Sequence, residues 1–408
     1  MQLNNYPTFH LTYCTNIHPG ERWEEVLEQL KTHIPDLKQR LSPGRPFGIG
    51  LRLSSRAASE LKQRDRLDEF RQWLGQEDCY VFTMNGFPYG DFHRRRVKDL
   101  VYSPDWRTEE RVAYTMNLAD ILAELVPIGM DGGISTSPIS YKYWLQQHSL
   151  KEQAFREGSK NLARVAYSLA GIRREKGKLL HIDIEPEPDC LLENSRETID
   201  FFKHWLLPVG STFLTDEYGI DPVEAEVMLK EHIRLCYDTC HFAVEYEDPA
   251  EVLREMKEAG IKVGKVQVSA ALKVELPGSD EGRRQIEKQL QDFDEATYLH
   301  QVVERRGNDL LFRYRDLDQA LPHIFEEQAR EWRIHYHVPL FVDAYGRLNS
   351  TQSDIRKSLD FLKENAAMCR HFEIETYTWE VLPEELKKDS ADSIEREYRW
   401  VLGEFRDE

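Results

Sequence analysis

Eight short apolar runs, each separated from the next by a longer amphipathic stretch, constrain this chain more than any other feature. The runs are "FHLTYCT" from Phe9, "FGIGLRLS" from Phe47, "CYVFTMNGF" from Cys79, "GMDGGISTS" from Gly129, "KLLHIDIEP" from Lys178, "RLCYDTCH" from Arg234, "IKVGKVQVS" from Ile261 and "HFEIETYTW" from His371. They are rich in Val, Ile, Leu, Phe and Tyr, as strands covered on both faces should be. Between them the spacing predicts helices. Glu21–Leu41 places Trp23, Val26, Leu27 and Leu30 on one face, and the stretch from Ser195 opens on an N-cap serine. Asp248, Pro249 and Gly260 bracket another helix. Eight βα units predict a parallel sheet with helical crossovers, and a (β/α)8 barrel fits better than an open doubly wound sheet. No strand–GxGxxG–helix fingerprint occurs, because "GIGLRL" continues as a strand where a phosphate loop would turn. Two smaller α/β domains would require a linker, and no Gly/Ser-rich or Pro-rich linker is present.

The expectation is therefore one domain over residues 1–408. The length exceeds the roughly 250 residues of a simple barrel. The surplus is placed between strands seven and eight, over 272–345, as an inserted lid or rim. Within it, Tyr298–Leu317 reads as a β-hairpin around "RRGND", and "WRIHYHVPLF" (Trp332–Phe341) as an extra strand. The alternative, in which that extra strand belongs to the barrel, shifts the strand count by one.

Composition narrows the function. With 54 basic and 72 acidic side chains the net charge is -18, which disfavours nucleic acid as a partner. "FHRRRVK" (Phe92–Lys98) is the one compact basic cluster, read as a solvated surface or a contact for a small anion. No run of about 18 uninterrupted apolar residues occurs, so no membrane insertion is expected. The N-terminus lacks a charged segment followed by an apolar one, so no signal peptide is expected. Six scattered cysteines without a CxxC pair suit a reducing, cytoplasmic setting.

In a barrel of this kind the chemistry sits at the carboxyl ends of the strands. Strand five ends in Glu185, followed by Pro186 and Glu187. Strand six ends in Asp238, with His241 three residues on. Strand seven carries Gln267, strand eight carries Glu375, and the extra strand carries His335 and His337 on one face. Carboxylates in apolar strand ends are costly unless they are paired or bind a metal. An oxygen-rich set favours Mg²⁺ or Mn²⁺, and a histidine shifts the preference toward Mn²⁺, Co²⁺ or Zn²⁺. Earlier strand ends offer Asn16, His18, Arg52 and Asn85 for substrate recognition, with His337 preferred to His335 as a further contact. Arg52 could instead form a buried structural ion pair. Glu187 reads as a turn or supporting residue, and Phe87, Tyr89 and Trp144 as an aromatic wall.

The pattern "EP…YDTCH…ExE" resembles the xylose-isomerase-like barrel superfamily, which includes ketose 3-epimerases, sugar isomerases and endonuclease IV. In the epimerase branch the resemblance implies a divalent metal (Mn, Mg or Zn) on Glu185, Asp238 and Glu375, with Gln267, which stands where that branch has histidine, as the fourth ligand. It implies a substrate contact for His241, and catalytic roles for Glu185, Glu375 and His241. The strings "LTYCTNIHPGERW", "IEPEPDC", "KVQVSAAL", "IHYHVPLF" and "EIETYTWEVLP" resemble, over nearly the whole chain, the metabolite-traffic family of the Ebo cluster. That likeness implies a small hydroxy-carbonyl metabolite destined for export and other Ebo-cluster proteins as partners. A non-catalytic carrier on the same barrel is the alternative. Phosphodiester cleavage is disfavoured, because it needs a histidine-rich cluster that the strand ends alone do not supply.

Overall fold

The computed structural model describes residues 1–3, 5–6, 8–90, 98–293, 299–376 and 390–406. All eight runs form strands. They are β1 (His10–Tyr13), β2 (Phe47–Arg52), β3 (Cys79–Asn85), β4 (Gly132–Thr136), β5 (Leu180–Ile184), β6 (Ile233–Asp238), β7 (Val263–Val268) and the last barrel strand (His371–Ile374). They pair in parallel in sequence order, and the last strand lies between β7 and β1. A parallel bridge from Cys14 to Gly50 brings β1 against β2. The fold is a (β/α)8 barrel.

The alternation along the strands explains where the core sits. Ile182 and Ile184, Leu235 and Tyr237, Val266 and Val268, and Phe372 and Ile374 are buried in the main apolar core. The residues that alternate with them lie on the opposite, inward face: His181 and Asp183 on β5, Cys236 and Asp238 on β6, Lys265 and Gln267 on β7, His371 and Glu373 on the last strand. Each of these is fully buried. The barrel interior is thus polar along these strands, where branched aliphatic side chains usually fill it.

A second, six-stranded sheet follows β7. Its strands are β8 (Ala270–Glu275), β9 (Val302–Arg306), β10 (Leu311–Tyr314), β11 (Ala329–Val338), β12 (Ala344–Tyr345) and β13 (Leu348–Ser350), which makes the last barrel strand β14. The hairpin expected over Tyr298–Leu317 is the antiparallel β9–β10 pair. The extra strand is β11, paired with β8 and β9 rather than with the barrel. The sheet begins at Ala270, a single residue after β7, so it is anchored to the barrel where β7 ends. Register between β11 and β8 breaks between Ile334 and Val338. Bulges of this kind re-aim side chains, and this one contains His335 and His337.

The helices differ from expectation in detail. Asn194, not Ser195, is the N-cap of its helix and accepts from the Glu197 amide; Ser195 Oγ instead donates to Glu247. Asp248 caps as expected, and Gly260 follows its helix at a φ of +71°. Among the described residues no helix is long and apolar enough to cross a membrane. Residues 92–97 of the basic cluster and 377–379 of the last expected run lie outside the described residues.

Glycine makes room for the interior charges. A Cβ at Gly50 would overlap both Glu373 Oε1 and the Tyr13 carbonyl, and one at Gly264 would overlap Asp183 Oδ1. Gly50→Ala should therefore cost about 1–3 kcal/mol through overpacking. The denaturation midpoint in urea would measure this, and an unchanged midpoint would show that the interior is looser than described.

Candidate metal centre

Asp238 ends β6 and does two things at once. Its Oδ1 caps the short helix Thr239–Val244, accepting from the Cys240 amide at 2.8 Å and the His241 amide at 3.2 Å, and it also accepts from Ser269 Oγ at 2.5 Å. The capping turn orients the carboxylate and leaves Oδ2 buried with no hydrogen-bond partner. Glu185, where β5 leaves the barrel, likewise has a buried, unpartnered Oε2. One oxygen from each of Glu185, Asp238 and Glu375 lies within 4.8 Å of the other two.

Glu375 is held by amides. Asn16 Nδ2 and Asn85 Nδ2 donate to its Oε1 at 2.8 and 3.0 Å, and Gln267 Nε2 donates to its Oε2. Gln267 therefore reaches the cluster with its nitrogen, while its oxygen accepts from Cys236 Sγ at 2.8 Å. Metal ligation would require that oxygen, and so a rotation of the amide.

Glu185 and Glu375 line a cavity of about 50 Å³, together with Glu187, His241, His335, His337 and Lys98. The apolar cover comes from Phe87, Pro88, Val101 and Leu299. Asn16, Asn85, His241 and His337 are thus brought to the site as expected. His18 and Arg52 are not among its lining residues. His18 bonds Tyr13 Oη at 2.8 Å and stacks on His33. Arg52 bonds the Gly20 carbonyl and Glu21 behind the strand end, which is the structural ion pair its sequence allowed. Of the aromatic wall only Phe87 lines the cavity; Trp144 donates to Asp99, and Tyr89 packs on Tyr114.

Several participants carried no expectation. Below the triad, Lys265 Nζ meets Glu373 Oε2 at 2.6 Å with both side chains fully buried. Lower still, His181 Nδ1 bonds Asp183 Oδ1 at 2.6 Å, and His181 and His371 both face Asp131. The signal was present as period-two alternation in "HIDIE", "KVQVS" and "HFEIE". Tyr102, which donates to Glu187 Oε1 at 2.9 Å, gave no local signal, because a loop brings it from far along the chain.

The electrostatics follow from burial. Burial, then Glu375 and Asp238, push Glu185 well above the ordinary carboxylate range. Burial, then Asp238 and Glu373, do the same to Glu375. Burial raises Glu187 to about 8 against the lowering effect of Tyr102. Asp238 goes the other way: burial would raise it, but His241, His337 and the Ser269 hydroxyl outweigh that and hold it low. Burial lowers His337 to about 4. The site is therefore a set of carboxyl groups in mutual repulsion, with Lys265 committed to Glu373.

No protein-family model and no curated protein matches the chain. Solved structures similar to it include a xylose isomerase-like TIM barrel protein from Mycobacterium smegmatis in complex with magnesium. The identity is 12%, covering 97% of this chain and 96% of that one, with a TM-score of 0.47. A D-tagatose 3-epimerase-like protein is 11% identical over 97% and 98% of the two chains, with a TM-score of 0.47. An IolI protein with a bound zinc atom is 12% identical over 98% and 100%, with a TM-score of 0.45.

Lys265→Met should cost about 3–5 kcal/mol, because it leaves Glu373 buried and uncompensated. Adding Glu373→Gln should restore much of that loss. Chemical denaturation of the two singles and the double tests the pair; additive losses would show that the two side chains are not coupled.

Proposed function

We propose that the chain is a divalent-metal-dependent enzyme of the isomerase or epimerase type, acting on a small hydroxy-carbonyl metabolite. The observation that carries this reading is the convergence of Glu185, Asp238 and Glu375, with buried oxygens on Glu185 and Asp238 that no protein group satisfies. Such atoms are costly in a closed, low-dielectric site, and an oxygen-donor triad fits a hard or borderline cation. Mn²⁺, Mg²⁺ and Zn²⁺ are the candidates. A divalent cation at such a site supplies polarisation of the hydroxy-carbonyl group and neutralises charge that develops on it.

The chain's own residues divide the remaining work. Glu375 is fixed by Asn16, Asn85 and Gln267, so it serves as an immobile anchor. Glu185 Oε2 is unpartnered and is the better placed of the two glutamates to carry a proton between carbons. His241 Nδ1 donates to the Pro186 carbonyl at 2.9 Å, which fixes the ring at the edge of the cluster, where it positions a substrate oxygen. Phe87, Pro88, Val101 and Leu299 exclude water.

The motif likeness extends the proposal to the EboE family of the Ebo cluster. On that reading the metabolite is one destined for export, other Ebo-cluster proteins are partners, and the setting is cytoplasmic. It also keeps residues 272–345 as a rim within a single domain. A non-catalytic metabolite carrier is the second reading, favoured by the Gln267 amide presenting its nitrogen to Glu375 and by the small closed cavity.

The test is divalent-ion content by mass spectrometry on full-length protein purified without chelators. The wild type should retain bound ion, and Asp238→Ala should lose it from the triad while keeping its circular dichroism spectrum. Full retention in that variant would remove the scheme. Bound ion without turnover of any hydroxy-carbonyl sugar or acid would favour the carrier.

A further inference from the structure

The triad does not account for all the metal-ligating chemistry in the cavity. Glu187, His241 and His335 each place a ligand atom within 4.8 Å of the other two, and all three are buried. Among the described residues, Glu187 Oε2 and His335 Nε2 have no hydrogen-bond partner. Their orientation is fixed from behind. Tyr102 Oη donates to Glu187 Oε1 at 2.9 Å, and His335 Nδ1 bonds Gln301 Oε1 at 2.8 Å. His241 Nδ1 bonds the Pro186 carbonyl, which can only accept, so that nitrogen carries the proton and Nε2 keeps its lone pair. A histidine anchored through one ring nitrogen to an oxygen is oriented and made more basic at the other.

Charge points the same way. Three carboxyl groups line the cavity, Glu185, Glu187 and Glu375, and a fourth, Asp238, converges with Glu185 and Glu375. Among the described residues none of the four has a lysine or arginine within salt-bridge distance; the ion pairs of Glu185, Glu187 and Asp238 are to histidines. Lys265 is committed to Glu373 and Lys98 to Asp316. Burial and mutual repulsion oppose ionisation of Glu185, Glu187 and Glu375, and cations are what would let all four ionise; one divalent ion would balance two of them.

We infer a second cation position on Glu187, His241 and His335, beside the carboxylate triad and completed by the inserted sheet. Two nitrogens and one oxygen favour a borderline transition ion such as Zn²⁺, Co²⁺ or Mn²⁺ over Mg²⁺. His335 reaches the position because the β11 bulge frees it from the ladder with β8. The inserted sheet is then part of the site and not only its cover. This inference rests on the triad reading, and the two fail separately.

The experiment counts ions. Chelator-stripped, full-length protein is reloaded with Zn²⁺, desalted, and its bound metal measured against protein by mass spectrometry. Wild type should hold two ions per chain. His335→Gln and Glu187→Gln should each hold one, with unchanged circular dichroism. Asp238→Ala should lose at least the triad ion. Two substitutions on different elements guard against a local folding failure in either. One ion in the wild type that survives both substitutions would overturn the second position and leave the triad standing. No ion in any form would overturn both.

Discussion

The cost of burying carboxylates inside a parallel barrel governs this structure. Strands β5, β6, β7 and β14 alternate so that apolar residues face the helices and ionisable ones face the axis. The apolar half is ordinary and supplies the core. The inward half must be satisfied group by group. Lys265 pairs with one oxygen of Glu373 and His181 with one oxygen of Asp183, while among the described residues Glu373 Oε1 and Asp183 Oδ2 have no hydrogen-bond partner. Glycines at 50 and 264 give those side chains space. Toward the carboxyl ends Glu185, Asp238 and Glu187 also keep oxygens without a hydrogen-bond partner, and among the described residues no lysine or arginine pairs with them. The convergence of Glu185, Asp238 and Glu375 without a cationic side chain marks where a ligand belongs.

The second sheet shares in this arrangement. Its first strand starts one residue after β7, and Ser269, the residue between them, bonds Asp238. The sheet's central strand returns His335 and His337 to the mouth, and His337 Nδ1 is held by the Glu375 carbonyl at 2.8 Å. The insertion is tied to the carboxyl end of the barrel strands through both Asp238 and Glu375, so its placement and the geometry of the carboxylates are coupled.

Much of this was legible in the residues. All eight strands and the Glu185, Asp238 and Glu375 strand ends followed from apolar runs bounded by polar residues. The polar interior was also legible, in "HIDIE" and "HFEIE", but strands expected to be covered on both faces invite a reading as continuous apolar runs, and that reading hides the alternation. What could not be read was non-local. Arg52 and His18 sit at strand ends yet are committed to Glu21 and Tyr13, and which way a strand-end side chain turns depends on neighbours distant in sequence. His335 and His337 were legible as a pair on one face of the extra strand, but the register break that contains them was not.

The most direct test of the central claim is the pH dependence of stability with and without bound cation. Burial raises Glu185, Glu375 and Glu187 above their unfolded values, the last to about 8. A raised carboxyl destabilises the fold progressively as pH climbs from the unfolded value toward the folded one. The chelated protein should therefore lose stability, relative to the Mn²⁺-loaded protein, as pH rises from about 4.5 toward 8, and the gap between the two denaturation curves should widen across that window. Parallel curves, or a gap that closes as pH rises, would mean that the carboxylates are satisfied without a cation.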